Sequence, residues 1–271
     1  MESASAAGFD AVSVWARTHR RATTREGLDE AEMRALLEGH GLGVSELEAL
    51  DTWLPGDVQP LAGNPPLSVE EFLRIGEGLG ARTLVAVQSV PVDLPFDAVV
   101  AHFADLCDRA RARGLDVALE APAFAAIADL GQAWRVVEAA DRPNAGVVVD
   151  SWHHRRSGVS DAVIEGLPAE RVRCVQLADG PALPEADLLE ETLWRRLPAG
   201  SGDFGLAALL QRLDAMGVCC PVGVEVFDEG GEHGDPAETA RRLFGQIDAL
   251  CEESGSRLGC ARGDPRFGSG G

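Results

Sequence analysis

Basic residues are scarce in this chain, and long apolar runs are absent from it. Its 271 residues contain 24 Lys and Arg against 44 Asp and Glu, which gives a formal net charge of −20. Nucleic-acid binding needs clustered cations that neutralise phosphates, so we expect no nucleic-acid partner. No run approaches the roughly 20 apolar residues that cross a bilayer, and the N-terminus lacks the basic start and apolar core of a signal peptide. We therefore expect a cytoplasmic protein with no membrane partner.

The cysteines offer no sign of a disulfide scaffold. The chain has six of them, and no pair shows the CxxC spacing of common redox and metal motifs. In a cytoplasmic protein such thiols stay reduced. We therefore expect free and mostly buried cysteines.

The chain contains instead a regular alternation of short apolar runs with helical patterns. This alternation is typical of βα units around a parallel sheet. We predict seven strands, at residues 11–15, 43–49, 83–87, 117–120, 145–150, 172–177 and 222–227. A TIM (β/α)8 barrel has eight strands in about 250 residues, so the count predicts an α/β barrel of TIM type that lacks its first strand.

The first residues agree with an absent first strand. Residues 2–8 (ESASAAG) look like the end of a helix rather than a strand. A start assigned too late would explain this pattern, and a true seven-stranded or open barrel is the alternative. We expect a single domain over residues 1–252 and a disordered tail over residues 253–271, which are rich in Gly, Ser and Arg.

Four polar residues stand at or near the ends of predicted strands: Glu120, Asp150, Gln176 and Glu225. The C-terminal ends of barrel strands converge on one mouth, where such enzymes place their active sites. Three carboxylates and one amide oxygen suit a hard divalent cation, so we predict a metal site with Mn²⁺ or Mg²⁺ favoured and Co²⁺ or Zn²⁺ possible. The alternative is that each residue caps its strand or pairs with an arginine.

Other residues are candidates for contact with a substrate. His153 follows Asp150 by three residues and could donate to a substrate oxygen or relay a proton. Arg196 precedes a glycine-containing loop and could reach a hydroxyl, a carboxylate or a phosphate. Trp15 and Trp53 lie at or beyond strand ends and could wall a pocket for a polyol. Each has a plainer interpretation, namely a packed histidine, a solvated arginine or ordinary packing at the rim.

Three further residues could face the predicted site, but a structural role explains each of them at least as well. Glu46 and Glu48 occupy the second predicted strand and could face the site, but we interpret them as a surface pair that flanks the strand. Phe227 lies beyond the last strand and could line the same pocket as the tryptophans, although rim packing accounts for it equally well.

Five segments together resemble the xylose isomerase-like sugar phosphate isomerase/epimerase superfamily, which includes inosose dehydratases and ketose 3-epimerases. They are LEAP at 119–122, VDSWH at 149–153, VQLADG at 175–180, RLP at 196–198 and VEVF at 224–227. The resemblance covers roughly residues 8–252 and implies that the four strand-end residues are the metal ligands. Many relatives have His where this chain has Gln176, and a Gln there also resembles some 3-dehydroshikimate dehydratases. Those dehydratases typically carry a His in the loop after the first metal-binding Glu, and residues 121–127 (APAFAAI) contain none.

The resemblance implies a metal-dependent isomerase or epimerase that acts on a small sugar, polyol or keto acid. Glu120 or Glu225 would remove a proton beside a carbonyl that the metal polarises, while His153 and Arg196 would orient substrate oxygens. A dehydratase (lyase) of the 3-dehydroshikimate or inosose type is the alternative, because it begins with the same proton abstraction. A non-catalytic barrel remnant is a further alternative, and an endonuclease of the superfamily is disfavoured by the net charge. Relatives often pair through barrel helices, so a homo-oligomer is one expectation.

Overall fold

The computed structural model describes residues 1–56, 67–91, 93–227, 234–256 and 258. Within them, seven parallel strands form one sheet in which each strand pairs with the next along the chain. The strands are β1 Ala11–Trp15, β2 Gly43–Leu50, β3 Thr83–Ala86, β4 Asp116–Leu119, β5 Ala145–Asp150, β6 Val172–Leu177 and β7 Val222–Val224. The predicted TIM-type barrel with seven strands is confirmed.

Helices alternate with the strands and cover the outer face of the sheet. The described α-helices are α1 Glu2–Ala7, α2 Ala16–Arg21, α3 Glu30–Gly39, α4 Val69–Leu79, α5 Phe96–Arg111, α6 Leu130–Ala140, α7 Ser151–Ser157, α8 Ala162–Glu165, α9 Leu188–Trp194, α10 Leu206–Met216 and α11 Pro236–Ser254. A π-helical turn at Ala22–Glu26 and a 3-10 turn at Ala169–Arg171 complete the set. Among the helices described, none is long and apolar enough to cross a membrane.

Local sequence explains where several helices begin. The Ser68 hydroxyl accepts a hydrogen bond from the Glu71 backbone N–H, and the Glu71 carboxylate accepts one from the Ser68 backbone N–H, which makes a capping box at the start of α4. Asp150 caps α7 in a related way, because its side chain accepts from the backbone N–H groups of Trp152 and His153. Asp150 is therefore both the last residue of β5 and the N-cap of α7, so the chain passes directly from strand to helix at this end of the sheet.

Two apolar layers result from the alternation of side chains along each strand. The larger layer lies between strands and helices and contains the bulkiest fully buried side chains, among them Trp152, Phe72 and Phe103. A separate cluster of small residues forms on the other face, inside the barrel: Val85, Ala118, Val148 and Cys174. Side chains two residues apart in a strand point to the same face. The residues two positions after Ala118, Val148 and Cys174 therefore share this inner face, and they are Glu120, Asp150 and Gln176.

The barrel is nearly closed, and its open seam lies between β1 and β7. In the part of the chain that the structure describes, no ladder joins these two strands. Helices α1 and α11 cover the seam, with the rings of Phe9 and Phe244 in edge-to-face contact at 5.1 Å. Gly8 is necessary here, because a Cβ at this positive-φ position would lie 2.8 Å from the Phe244 ring. A cavity of about 480 Å³ remains along the seam.

The last helix extends two residues beyond the predicted domain boundary at residue 252. Helix α11 ends at Ser254, where Gly255 adopts the left-handed conformation of a helix C-cap. Most of the predicted disordered tail, residues 257 and 259–271, lies outside the described residues. The division into one domain and a tail therefore stays a prediction.

Candidate active site

The four predicted metal ligands lie at one end of the sheet. Asp150 and Gln176 are paired neighbours on β5 and β6. Glu120 and Glu225 directly follow β4 and the end of β7, and their backbone N–H groups continue the ladders by donating to Ala86 and Leu177. The convergence predicted from the strand ends is present in the backbone.

Three of the side chains there form a group that could hold a metal ion. One ligand atom from each of Glu120, Asp150 and His153 lies within 4.8 Å of the others, and all three residues are buried. The His153 Nε2 atom is 3.5 Å from a Glu120 oxygen and 3.9 Å from an Asp150 oxygen. A cavity of about 10 Å³ lies among these side chains, about the room that one water molecule needs.

His153 is held as a neutral ring. Its Nδ1 accepts a hydrogen bond from the backbone N–H of Ala123 at 3.3 Å, and its Nε2 lies 3.3 Å from the Arg196 Nη2 atom. Burial, aided by the positive charge of Arg196, lowers the pKa of His153 to about 3. The ring is therefore uncharged near neutral pH.

Arg196 is buried in the centre of the site, which corrects the picture of a solvated loop arginine. Its Nη1 is 2.9 Å from a Glu225 carboxylate oxygen and 3.4 Å from an Asp150 oxygen. The guanidinium also lies 4.9 Å from the Phe227 ring centroid and 5.6 Å from that of Trp152. In this structure the arginine is the counter-charge of the two carboxylates, so it takes part in the site as a central cation.

The loop after Arg196 is fixed by a buried aspartate that the sequence analysis did not single out. Asp179 exchanges backbone hydrogen bonds with Leu197, and its side chain accepts from the backbone N–H groups of Gly200 and Phe204. Gly202 packs against it so closely that a Cβ would lie 2.6 Å from the Asp179 carboxylate. The predicted glycine-containing loop is thus rigidly attached to the end of β6.

Burial makes negative charge in the site unfavourable. It raises the pKa of Glu225 to about 7, with Arg196 opposing the shift and Asp150 adding to it. Burial also raises the pKa of Glu120 well above its usual value, and the neighbouring Glu225 and Asp150 carboxylates add to this shift. A cluster of carboxyl groups that resist ionisation in the absence of further positive charge is the environment that a bound cation would stabilise.

The Gln176 amide has one end bonded and the other end free. Its Nε2 donates to a Glu48 carboxylate oxygen at 3.1 Å. Its Oε1 is buried and has no hydrogen-bond partner among the described residues. A buried amide oxygen without a hydrogen-bond partner destabilises the folded protein unless a polar group or a cation contacts it. Carboxyl groups and a free amide oxygen are the kind of ligand that a hard divalent cation prefers. Of the three predicted carboxylate ligands, the structure brings Glu120 and Asp150 into the group with His153 and leaves Glu225 outside it.

Glu46 and Glu48 are not a surface pair, and that interpretation was wrong. Both side chains are almost fully buried, at 3% and 2% exposure, on the inner face of β2. Burial raises the pKa of Glu46 to about 7 and raises that of Glu48 well above its usual value. Their spacing of two residues was the available signal, because it places both on one face of a strand whose two faces are both covered.

The two tryptophans that were predicted to line a substrate pocket have different surroundings. Trp15 lines the 480 Å³ seam cavity and packs edge-to-face against Phe227 at 5.5 Å. Trp53 lines neither of the two cavities described above. Its indole N–H donates to the Val87 carbonyl at 2.7 Å and its ring packs against Phe103, which are the contacts of a core residue. The structure therefore brings Trp15 to the cavity and does not bring Trp53 there.

Comparison with known proteins places this arrangement among related barrels. A family model described as xylose isomerase-like TIM barrel matches residues 1–247. A 3-dehydroshikimate dehydratase of Pseudomonas aeruginosa is 30% identical over 235 residues, which are 85% of this chain and 36% of that protein. An inosose isomerase of Halalkalibacterium halodurans is 29% identical over 125 residues, 45% of this chain and 43% of that protein. The matched regions thus cover less than half the length of each of these relatives.

Solved structures agree on the fold. A fusion protein of a xylose isomerase-like TIM barrel with 4-hydroxyphenylpyruvate dioxygenase superposes with a TM-score of 0.81 at 24% identity, over 93% of this chain and 40% of that one. The IolI protein with a bound zinc atom superposes with a TM-score of 0.78 at 18% identity, over 93% of this chain and 92% of that one. At these identities the likeness concerns the fold.

Proposed function

Because the chain belongs to the xylose isomerase-like TIM barrel family, we propose that it is a divalent-metal-dependent enzyme that removes a proton beside a carbonyl of a small sugar, polyol or keto acid. The observation that carries the proposal is the group of buried ligand atoms from Glu120, Asp150 and His153, together with the largely buried Glu225 carboxyl group and the free Gln176 amide oxygen. The proposed ligands are Glu120, Asp150, Gln176 and Glu225. A bound cation would supply Lewis acidity, which makes a C–H next to a carbonyl more acidic.

Glu225 is the proposed proton acceptor. It lines the 480 Å³ seam cavity, which is within the usual size range of small-molecule sites, whereas Glu120 lines the smaller cavity on the closed side. Arg196 orients the Glu225 carboxylate through their 2.9 Å contact. Glu120 is the proposed second acid/base group, and the His153 Nε2 atom lies 3.5 Å from one of its oxygens. Trp15 would cover an apolar face of the substrate.

Proton removal can lead to two products. In a dehydratase the freed electron pair forms a C=C bond and expels a β-hydroxyl, which leaves as water after it takes a proton from the second acid. In an isomerase or epimerase the proton returns to a neighbouring carbon or to the opposite face of the same carbon. The dehydratase relative matches 85% of this chain and the inosose isomerase relative 45%, so we place dehydration first and isomerisation second, the reverse of the order that the sequence favoured.

The test combines metal analysis with product analysis. Protein stripped with EDTA and reloaded with Mn²⁺ or Mg²⁺ is incubated in D₂O with 3-dehydroshikimate, inososes and ketoses. We expect turnover only in the metal-loaded samples. Loss of one water by mass spectrometry identifies a dehydratase, and deuterium uptake without loss of water identifies an isomerase or epimerase. A folded protein that binds none of the added cations would favour a non-catalytic barrel instead.

Replacement of Glu225 by Gln tests the assigned base. The variant should lose roughly 10²- to 10⁴-fold in turnover, because proton transfer by a positioned side chain contributes that much. Glu170→Gln is the matched control, since Glu170 is an exposed glutamate in the turn before β6. Turnover within about twofold of the native enzyme in Glu225→Gln would remove this residue from the mechanism.

A further inference from the structure

A line of polar contacts crosses the inside of the barrel from β1 to β6. The Ser13 hydroxyl donates to one carboxylate oxygen of Glu48. The other oxygen of Glu48 accepts from the Gln176 amide at 3.1 Å, and this bond joins residues 128 positions apart in the chain. Glu48 and Gln176 are both almost fully buried, so water competes little for the bond between them. The contacts span the open seam, because β2 and β6 lie on opposite sides of it.

A hydrogen-bond acceptor beside a glutamine determines which end of its amide is left to face a metal ion. Its oxygen and its NH₂ group have nearly the same size and shape, yet only the oxygen attracts a cation. A carboxylate oxygen accepts hydrogen bonds and therefore selects the NH₂ group of the amide. Because Glu48 holds the Gln176 Nε2 atom, the Oε1 atom is turned away from it and is left buried without a partner among the described residues.

We propose that Glu48 is the positioning residue for the metal centre: it fixes the Gln176 amide with its oxygen toward the cation, and Ser13 fixes Glu48 in turn. This inference rests on the proposed function, in which Gln176 is a metal ligand. Both carboxylate oxygens of Glu48 already accept hydrogen bonds, one from the Ser13 hydroxyl and the other from the Gln176 amide. Its role is thus to act through Gln176.

Glu48→Gln is the first test, with Mn²⁺ affinity measured by isothermal titration calorimetry as the readout. The new amide no longer selects the NH₂ group of Gln176, so we expect the affinity to fall about 10- to 100-fold, as is usual when a partner of a metal ligand is lost. Ser13→Ala should reduce it by a smaller factor, about 2- to 5-fold, because Glu48 keeps its bond to Gln176.

Glu46→Gln is the matched control for charge. Glu46 is on the same strand and the same inner face, and it is equally buried, but the described contacts of Gln176 do not include it. The substitution removes one buried carboxyl group and leaves the positioning contact intact. We expect a change in Mn²⁺ affinity of less than about threefold. Equal losses in Glu46→Gln and Glu48→Gln would mean that charge alone acts, and would overturn the proposal.

The exchanged pair Glu48→Gln with Gln176→Glu provides a rescue. In this double variant the amide at position 48 donates to one oxygen of the new carboxylate and leaves its other oxygen for the cation, with no change in total charge. We expect Mn²⁺ affinity within about threefold of the native protein, together with a native circular dichroism spectrum. If native protein binds no Mn²⁺, Mg²⁺, Co²⁺ or Zn²⁺, the proposed function itself fails. If native protein and Glu48→Gln bind Mn²⁺ equally well, only the role of Glu48 fails.

Discussion

The two sides of this barrel hold their functional groups in different ways. From β3 to β6 nearly every strand residue is buried, and small apolar side chains fill the interior beneath Glu120 and Asp150. At the seam, β1 and β7 are only partly buried and flank a cavity of about 480 Å³. The polar groups on the β3–β6 side therefore lie above a packed core, and those on the β1–β7 side lie next to a cavity.

Polar side chains replace packing at the seam. Glu225 follows the short strand β7, and its carboxylate is held by Arg196. Gln176 contacts the far side of the seam through Glu48. On the closed side, Asp150 is held by two backbone N–H groups at the start of α7, and its position depends on the chain itself. We therefore expect the seam to be sensitive to changes of charge and the closed side to changes of volume.

The largest effect should come from the central arginine. Arg196→Met keeps an apolar stem but leaves Asp150 and Glu225 without their buried counter-charge, so metal-free protein should lose about 3–5 kcal/mol of unfolding free energy. The measurement is urea denaturation with EDTA present. Saturating Mn²⁺ should recover part of the loss, because a ligand that binds the folded state stabilises it.

The neighbouring arginine provides the control for that substitution. Arg195 is exposed and pairs at the surface with Glu185 and Glu190. Arg195→Met should cost about 0–1 kcal/mol, since exposed ion pairs contribute little. Similar costs for the two arginines would contradict the view that charge in the interior holds the seam together.

An intermediate effect should distinguish packing on the two sides. Val147 on β5 is fully buried, whereas Val222 on β7 is partly exposed beside the cavity. Val147→Ala should cost about 2–3 kcal/mol through lost burial and the space left behind, and Val222→Ala about 1 kcal/mol or less. Urea denaturation of both variants measures the difference. Equal costs would show that the seam is as well packed as the rest of the barrel.

The strands and their polar ends could be predicted because both are local properties of the chain. A strand covered on both faces is a short β-branched run, and a polar residue that ends such a run stands out, as Asp150 does after three valines. Helix α7 was missed although its signal was present, since Asp150 is also a favoured helix N-cap. The strand end and the helix start coincide at this one residue, and the apolar run before it indicates only the strand.

The surroundings of the side chains could not be predicted in the same way. Arg196 contacts partners 29, 43 and 46 positions away, and nothing near it in the sequence indicates that it is buried. Glutamates in strands are usually exposed, which favoured the wrong interpretation of Glu46 and Glu48. Trp53 packs against Phe103 from another βα unit. These contacts depend on how distant segments meet, and only the closed arrangement of strands determines that.

The smallest effect concerns pH and again separates charge from packing. Burial raises the pKa values of Glu46 and Glu225 to about 7, above those of an unfolded chain, so metal-free folded protein binds more protons than the unfolded chain between about pH 4.5 and pH 7. Its stability should therefore fall as the pH rises through 7, by about 1.4 kcal/mol for each group between pH 6 and pH 8. Glu46→Gln should remove about 1.4 kcal/mol of that fall, and the exposed-site variant Glu170→Gln should leave it unchanged. Urea denaturation with EDTA at both pH values measures the slope, and a slope of the same size in Glu46→Gln would show that the interior of β2 does not carry the titrating charge.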